Sequence, residues 1–101
     1  MNERISAEAV ARVALLLAKL RNDEVLSMDV YGPSNSIKVF SSHLFSAERR
    51  RELAAVLGIE RMKFGAKDWD EGWLMEFGET VVGGTSISLI FYKAERVADK
   101  E

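Results

Sequence analysis

The stretch with the most obvious chemical potential is "FSAERRRELAAVLG", in which Arg49, Arg50 and Arg51 follow one another where a helix should begin. Guanidinium groups beside the free N–H donors of a helix N-terminus are what a phosphate needs. Successive helical residues, however, are rotated by about 100°. The three side chains therefore fan out and cannot form one basic stripe. With Leu53 at the centre of the buried face, Arg49 and Arg50 lie on its flanks and Arg51 nearly behind. The flanking pair is expected to lay its methylene stems over the core edge and keep both guanidinium groups in water. Glu48 with Arg51, and Arg49 with Glu52, are three apart and can pair. The reading preferred is a solvated helix start, although a basic first turn opposes the helix dipole and leaves an anion conceivable there.

Other reactive residue types are sparse. His43 is the only histidine, set among serines in "SSHLFS". A serine–histidine pair also needs an orienting carboxylate and an oxyanion hole, and no glycine-flanked serine elbow accompanies it. In "KDWDEG", Asp68 and Asp70 have calcium-loop spacing and Glu79 falls where a closing glutamate would. The turn glycine such a loop requires should stand at Trp73, whereas Gly72 comes one residue early. "VVGGTS" lacks the lysine and following helix of a phosphate loop. Cysteine is absent, which excludes disulfides, thiolate nucleophiles and cysteine zinc sites. The expectation is a protein that is not an enzyme and carries no metal or cofactor.

The elements that would position these residues follow from periodicity. Ser6-Ala7-Glu8 reads as an N-cap with an acidic first turn. To about Arg21 the pattern is helical, with Val10, Val13, Ala14, Leu17 and Leu20 on one side and Leu16 on its flank. The polar stripe (Glu8, Arg12, Lys19) is narrow, so the helix is either buried on most of its circumference or shared with another chain. The first of these is preferred. "VLSMDVY" and "IKVF" alternate around the turn-rich "GPSNS" and predict a hairpin, with Leu26, Met28, Val30, Ile37 and Val39 inward. A second Ser-Ala-Glu caps a second helix at Ser46, which Gly58 stops. "IERMKF", "WLMEF" and "TSISLIFY" supply three more strands, with Gly83 and Gly84 suited to a primed turn. The inward face of "WLMEF" is ambiguous, because Trp73, Met75 and Phe77 compete with Leu74 alone. The order α-β-β-α-β-β-β predicts an α+β fold, a two-layer sandwich with two helices on one face of a mostly antiparallel five-stranded sheet.

Bulk properties narrow the function. The 101 residues suit a single domain, with a charged tail from about 94 to 101 expected to fray. Hydrophobic residues at 48% against 30% charged residues give an ordinary globular balance. A net charge of −2 is the wrong sign for a dedicated nucleic-acid binder. "MNERISAEAV" begins no signal peptide, and "AVARVALLLAKL" is too short and too charged to span a bilayer, so a soluble cytoplasmic protein without membrane contact is expected.

If both helices cover one sheet face, the other carries Tyr31, Phe40, Ile90 and Tyr92 among Lys38, Arg61, Lys63, Asp29 and serines. Aromatic residues with a few charges are the composition of a protein-binding surface. The function expected is a small non-catalytic module that binds another protein or a second copy of itself through this open face. Trp73, with Met75 and Phe77, joins this face if its strand turns the other way, and Trp69 in the preceding loop is a separate candidate contact. The alternative is single-stranded nucleic acid stacking on Tyr31, Phe40 and Tyr92, with Lys38, Arg61 and Lys63, and Arg49, Arg50 and Arg51, on phosphates.

Overall fold

The computed structural model describes residues 5–66 and 74–94. Its elements are α1 (Ala7–Ala18), β1 (Ser27–Tyr31), β2 (Ser36–Ser41), α2 (Ala47–Leu57), β3 (Lys63–Ala66), β4 (Leu74–Val82) and β5 (Thr85–Ala94). This is the expected α+β order. Trp69, Trp73 and the tail from residue 95 lie outside the described residues.

Local chemistry fixes the ends. Ser6 Oγ accepts from the Ala9 N–H at 3.0 Å, and Ser46 Oγ from the Arg49 N–H at 3.1 Å, each satisfying a donor the helix itself cannot. Gly58 stops α2 in the left-handed conformation, at φ 85°. Its N–H reaches the Ala55 carbonyl, and the Ile59 N–H returns to Ala54. Gly83 and Gly84 both adopt positive φ and close a two-residue hairpin between Val82 and Thr85, as the sequence suggests.

The sheet order is β1-β2-β5-β4-β3. Pairing is antiparallel except between the central strands β2 and β5, which run parallel with Ile37 beside Ile87 and Val39 beside Leu89. Those four residues are buried, together with Leu16 of α1, Leu53 and Leu57 of α2, and Phe45 and Phe91. One layer of helix thus covers one face of the sheet. A polar knot ties the ends together. Thr85 Oγ1 accepts from the Ser6 N–H at 2.9 Å and donates to Asn35 Oδ1 at 2.8 Å, while Asn35 Nδ2 donates to the Gly84 carbonyl at 3.0 Å.

Two expectations about the core are corrected. In α1 the buried residues are Ala9, Val13 and Leu16, while Val10, Ala14 and Leu17 are exposed. The helix is rotated from the expected setting, because its apolar arc is wide enough to offer two settings and only one can face the core. In the sheet, Met28, Val30 and Phe64 point to the helix side but remain exposed. Strand twist of roughly 20–25° per neighbour swings the edges β1 and β3 away from a layer only two helices wide.

Candidate functional site

Alternation in β2 and β5 sends Lys38, Phe40, Ser88, Ile90 and Tyr92 to the face opposite the helices. Among the described residues no element covers that face. Cross-strand register assembles it into rows. Asp29 stands beside Lys38, Lys38 beside Ser88 and Ser88 beside Glu79. In the next row Phe40 neighbours Ile90, which neighbours Phe77, which neighbours Lys63. Met75 lies on the same side, since Glu76 between it and Phe77 turns to the helices. The ambiguity of residues 73–77 is resolved at positions 75 and 77: the apolar pair faces out and the glutamate faces in.

An aromatic cluster sits at one end of this face. The Phe40 and Tyr92 rings meet edge to face at 6.0 Å between centroids. Lys38 Nζ lies 5.0 Å from the Phe40 centroid and 5.9 Å from that of Tyr92. Such a cation over ring faces shields apolar surface from water and stays available to a partner. Hydrogen bonding between the Lys38 ammonium and the Tyr92 hydroxyl, and the charge of that phenol, push the lysine pKa up. Tyr31, 44% exposed, donates its hydroxyl to Asp29 Oδ2 at 3.3 Å. Toward β3 the surface dips into a concavity of about 480 Å³, with Phe77 and Ile90 as floor and Arg61, Lys63 and Glu79 as rim. The sheet face therefore combines aromatic anchors, an apolar depression and charges of both signs.

The arginine run lies on the other layer and does not form a cluster. Arg49 donates through Nε and Nη2 to the two carboxylate oxygens of Glu24, both at 2.9 Å, and through Nη2 to the Lys19 carbonyl at 2.8 Å. Its expected partner Glu52 is also engaged, at 3.0 Å. The Arg49 guanidinium, with the Arg21 N–H, holds the Glu24 carboxyl at about 2, far below its ordinary 4.5. Arg49 is shifted up in return by the same fork.

Arg50 departs furthest from expectation. Its side chain was expected in water and is 1% exposed, in an ion pair with Glu76 of β4. Nη1 donates to the Phe45 carbonyl at 2.7 Å, and Nη2 has no hydrogen-bond partner among the described residues. A buried charge is tolerated only when paired, so Glu76 is what permits Arg50 at a core position. Only Arg51 of the three is exposed. Arg50 is thus unavailable to phosphate, and none of the run shares a surface with Lys38, Arg61 and Lys63. Glu76 escaped the sequence reading because no local spacing links it to Arg50, 26 residues earlier.

His43 also has a structural setting. Its ring meets Phe45 edge to face at 4.8 Å, and its backbone N–H donates to Ser41 Oγ, which in turn donates to the Val25 carbonyl.

Two depressions open on the helical layer. One, of about 890 Å³, runs between α2 and β3–β4, with Ala54, Met62 and Phe64 on its walls and Arg50 and Glu76 at its base. The other, of about 200 Å³, lies between α1 and β1 and is wholly apolar, bounded by Val10, Val13, Leu17, Met28, Val30 and Ile37. No helix among the described residues is long and apolar enough to cross a membrane.

Comparison with known protein families, with curated proteins and with solved structures returns no match.

Proposed function

We propose that this chain is a small non-catalytic binding module that captures a protein target on its uncovered sheet face. The observation that carries this reading is the cluster of Lys38, Phe40 and Tyr92 on the same face as exposed Tyr31, a face that no other element among the described residues covers. Interface cores favour such aromatic residues, because a rigid ring buries much area for little lost entropy. The depression over Phe77 and Ile90 would receive an apolar side chain, and its rim charges would set register rather than affinity.

Charge favours a protein target over nucleic acid. Lys38, Arg61 and Lys63 share the face with Asp29 and Glu79, and Arg49 and Arg50 are already spent on Glu24 and Glu76. A surface whose cations are offset in this way lacks the excess that phosphate binding needs. A cytoplasmic location is in keeping with a cysteine-free chain.

The test is affinity capture on the wild-type chain and on a Tyr31→Ser, Tyr92→Ser double variant, followed by titration of each captured species into labelled protein. A target lost from the double variant, whose addition shifts the amide resonances of Phe40, Ile90 and Tyr92, is the expected result. Equal capture by both chains removes the face from consideration. Salt-dependent retention on an oligonucleotide column, lost with Lys38→Ala, would instead establish the nucleic-acid alternative.

A further inference from the structure

Helix α1 carries more apolar surface than its own core uses. Ala9, Val13 and Leu16 occupy roughly a sixth of its circumference. Val10, Leu15 and Leu17 are 50%, 49% and 38% exposed, and Ala11, Ala14 and Ala18 complete the arc between them. At about 100° per residue this outward arc spans roughly 160°, wider than the stripe a globular helix commonly buries. It continues without polar interruption into the groove against Met28 and Val30 of β1.

We propose that this arc is the seam of a homodimer, in which α1 packs antiparallel on α1 of a second copy. The charges argue for this occupant. Glu8 and Lys19 are exposed and stand at opposite ends of the helix, on the same flank of the arc. Antiparallel packing sets Glu8 beside the partner's Lys19 twice over, whereas parallel packing gathers both glutamates at one end and both lysines at the other, where neither meets an opposite charge. The apolar positions are complementary in the same sense. Val10 and Leu17 lie on either side of Ala14, so each valine meets the partner's leucine. The small alanine at the centre lets the two helices approach closely. A two-fold arrangement of this kind is self-complementary and closed, so it ends at two chains. It uses the layer opposite the tyrosine-bearing face and stands or falls independently of the target-binding proposal.

Light scattering across a concentration series tests it. The wild-type mass should rise from the 11.3 kDa of one chain toward twice that value. Ala14→Glu changes an exposed position, leaves the monomer folded by circular dichroism and should weaken association on the order of 100-fold. Glu8→Lys should weaken it about 2- to 5-fold, and adding Lys19→Glu should restore it. Tyr31→Ser with Tyr92→Ser should leave the mass curve unchanged. A wild-type chain that stays at monomer mass up to its solubility limit overturns the proposal, as does a dimer indifferent to Ala14→Glu. A dimer lost with the tyrosine variant instead places self-association on the sheet face and overturns this seam.

Discussion

The two helices invert what their compositions suggest. Every residue of α1 except Glu8 and Arg12 is apolar, whereas α2 holds five charged residues in succession, Glu48 to Glu52. Yet α2 buries Arg50, Leu53, Ala54 and Leu57, against Ala9, Val13 and Leu16 for α1. Both sets follow one stripe at helical spacing. Burial is set by where apolar stems recur, and the total apolar content of a helix says little about how deeply it docks. Among the described residues, the surplus on α1 packs against nothing in the core. The deficit on α2 is met by an ion pair that lets a charged side chain fill a core position.

That contrast can be broken most severely at Arg50. Arg50→Ala leaves the Glu76 carboxylate buried without its cation and should cost about 3–5 kcal/mol in denaturant unfolding. Arg50→Met combined with Glu76→Leu should recover most of the loss, since packed apolar stems can replace a buried pair. A loss below about 1 kcal/mol for Arg50→Ala would mean that α2 does not lean on this pair.

Glu24 offers a gentler test with a pH signature. Glu24→Gln should cost about 1–3 kcal/mol near neutral pH, by removing the charged fork to Arg49. Because the folded carboxyl sits near 2 instead of 4.5, its contribution is present above the ordinary carboxylate range and is lost as pH falls toward 2. The wild type should therefore lose its advantage over the glutamine variant across that interval. A constant difference from pH 6 to pH 2 would contradict the pairing.

Gly58, where the two helices meet, should show the smallest of these effects. Gly58→Ala forces a side chain into left-handed backbone, with its Cβ 2.9 Å from Arg12 Nη1, the group that donates to the Leu57 carbonyl. The cost should be about 1–2 kcal/mol, read as a lower unfolding midpoint. A neutral or stabilising alanine would show that the end of α2 is less fixed than its capping bonds imply.

Much of this architecture is written in short-range signals. Ser6 and Ser46 announce the helix starts, Gly58 a helix end, and Gly83–Gly84 a hairpin, because each acts on backbone within a few residues. The parity of β1, β2 and β5 is equally plain from alternation, and it places Tyr31, Phe40, Ile90 and Tyr92 on one face from the sequence alone. What resists such reading is pairing across distance. Arg50 looks like a solvated residue until Glu76 of β4 is brought beside it. The setting of α1 is illegible for a different reason: a nearly all-apolar helix carries too few polar residues to say which arc turns inward. The exposure of Met28 and Val30 depends on how far the twisted sheet outreaches two helices, which no local pattern encodes.

The inward arc of α1 underlies both the helix comparison and the seam, and adjacent leucines separate its two sides most directly. Leu16→Ala and Leu17→Ala should be compared by denaturant unfolding at chain concentrations where the protein is monomeric. Leu16→Ala should cost about 2–5 kcal/mol, as for a fully buried leucine, and Leu17→Ala less than about 1 kcal/mol. Equal losses, or a larger loss at Leu17, would mean that the helix presents its other side to the core.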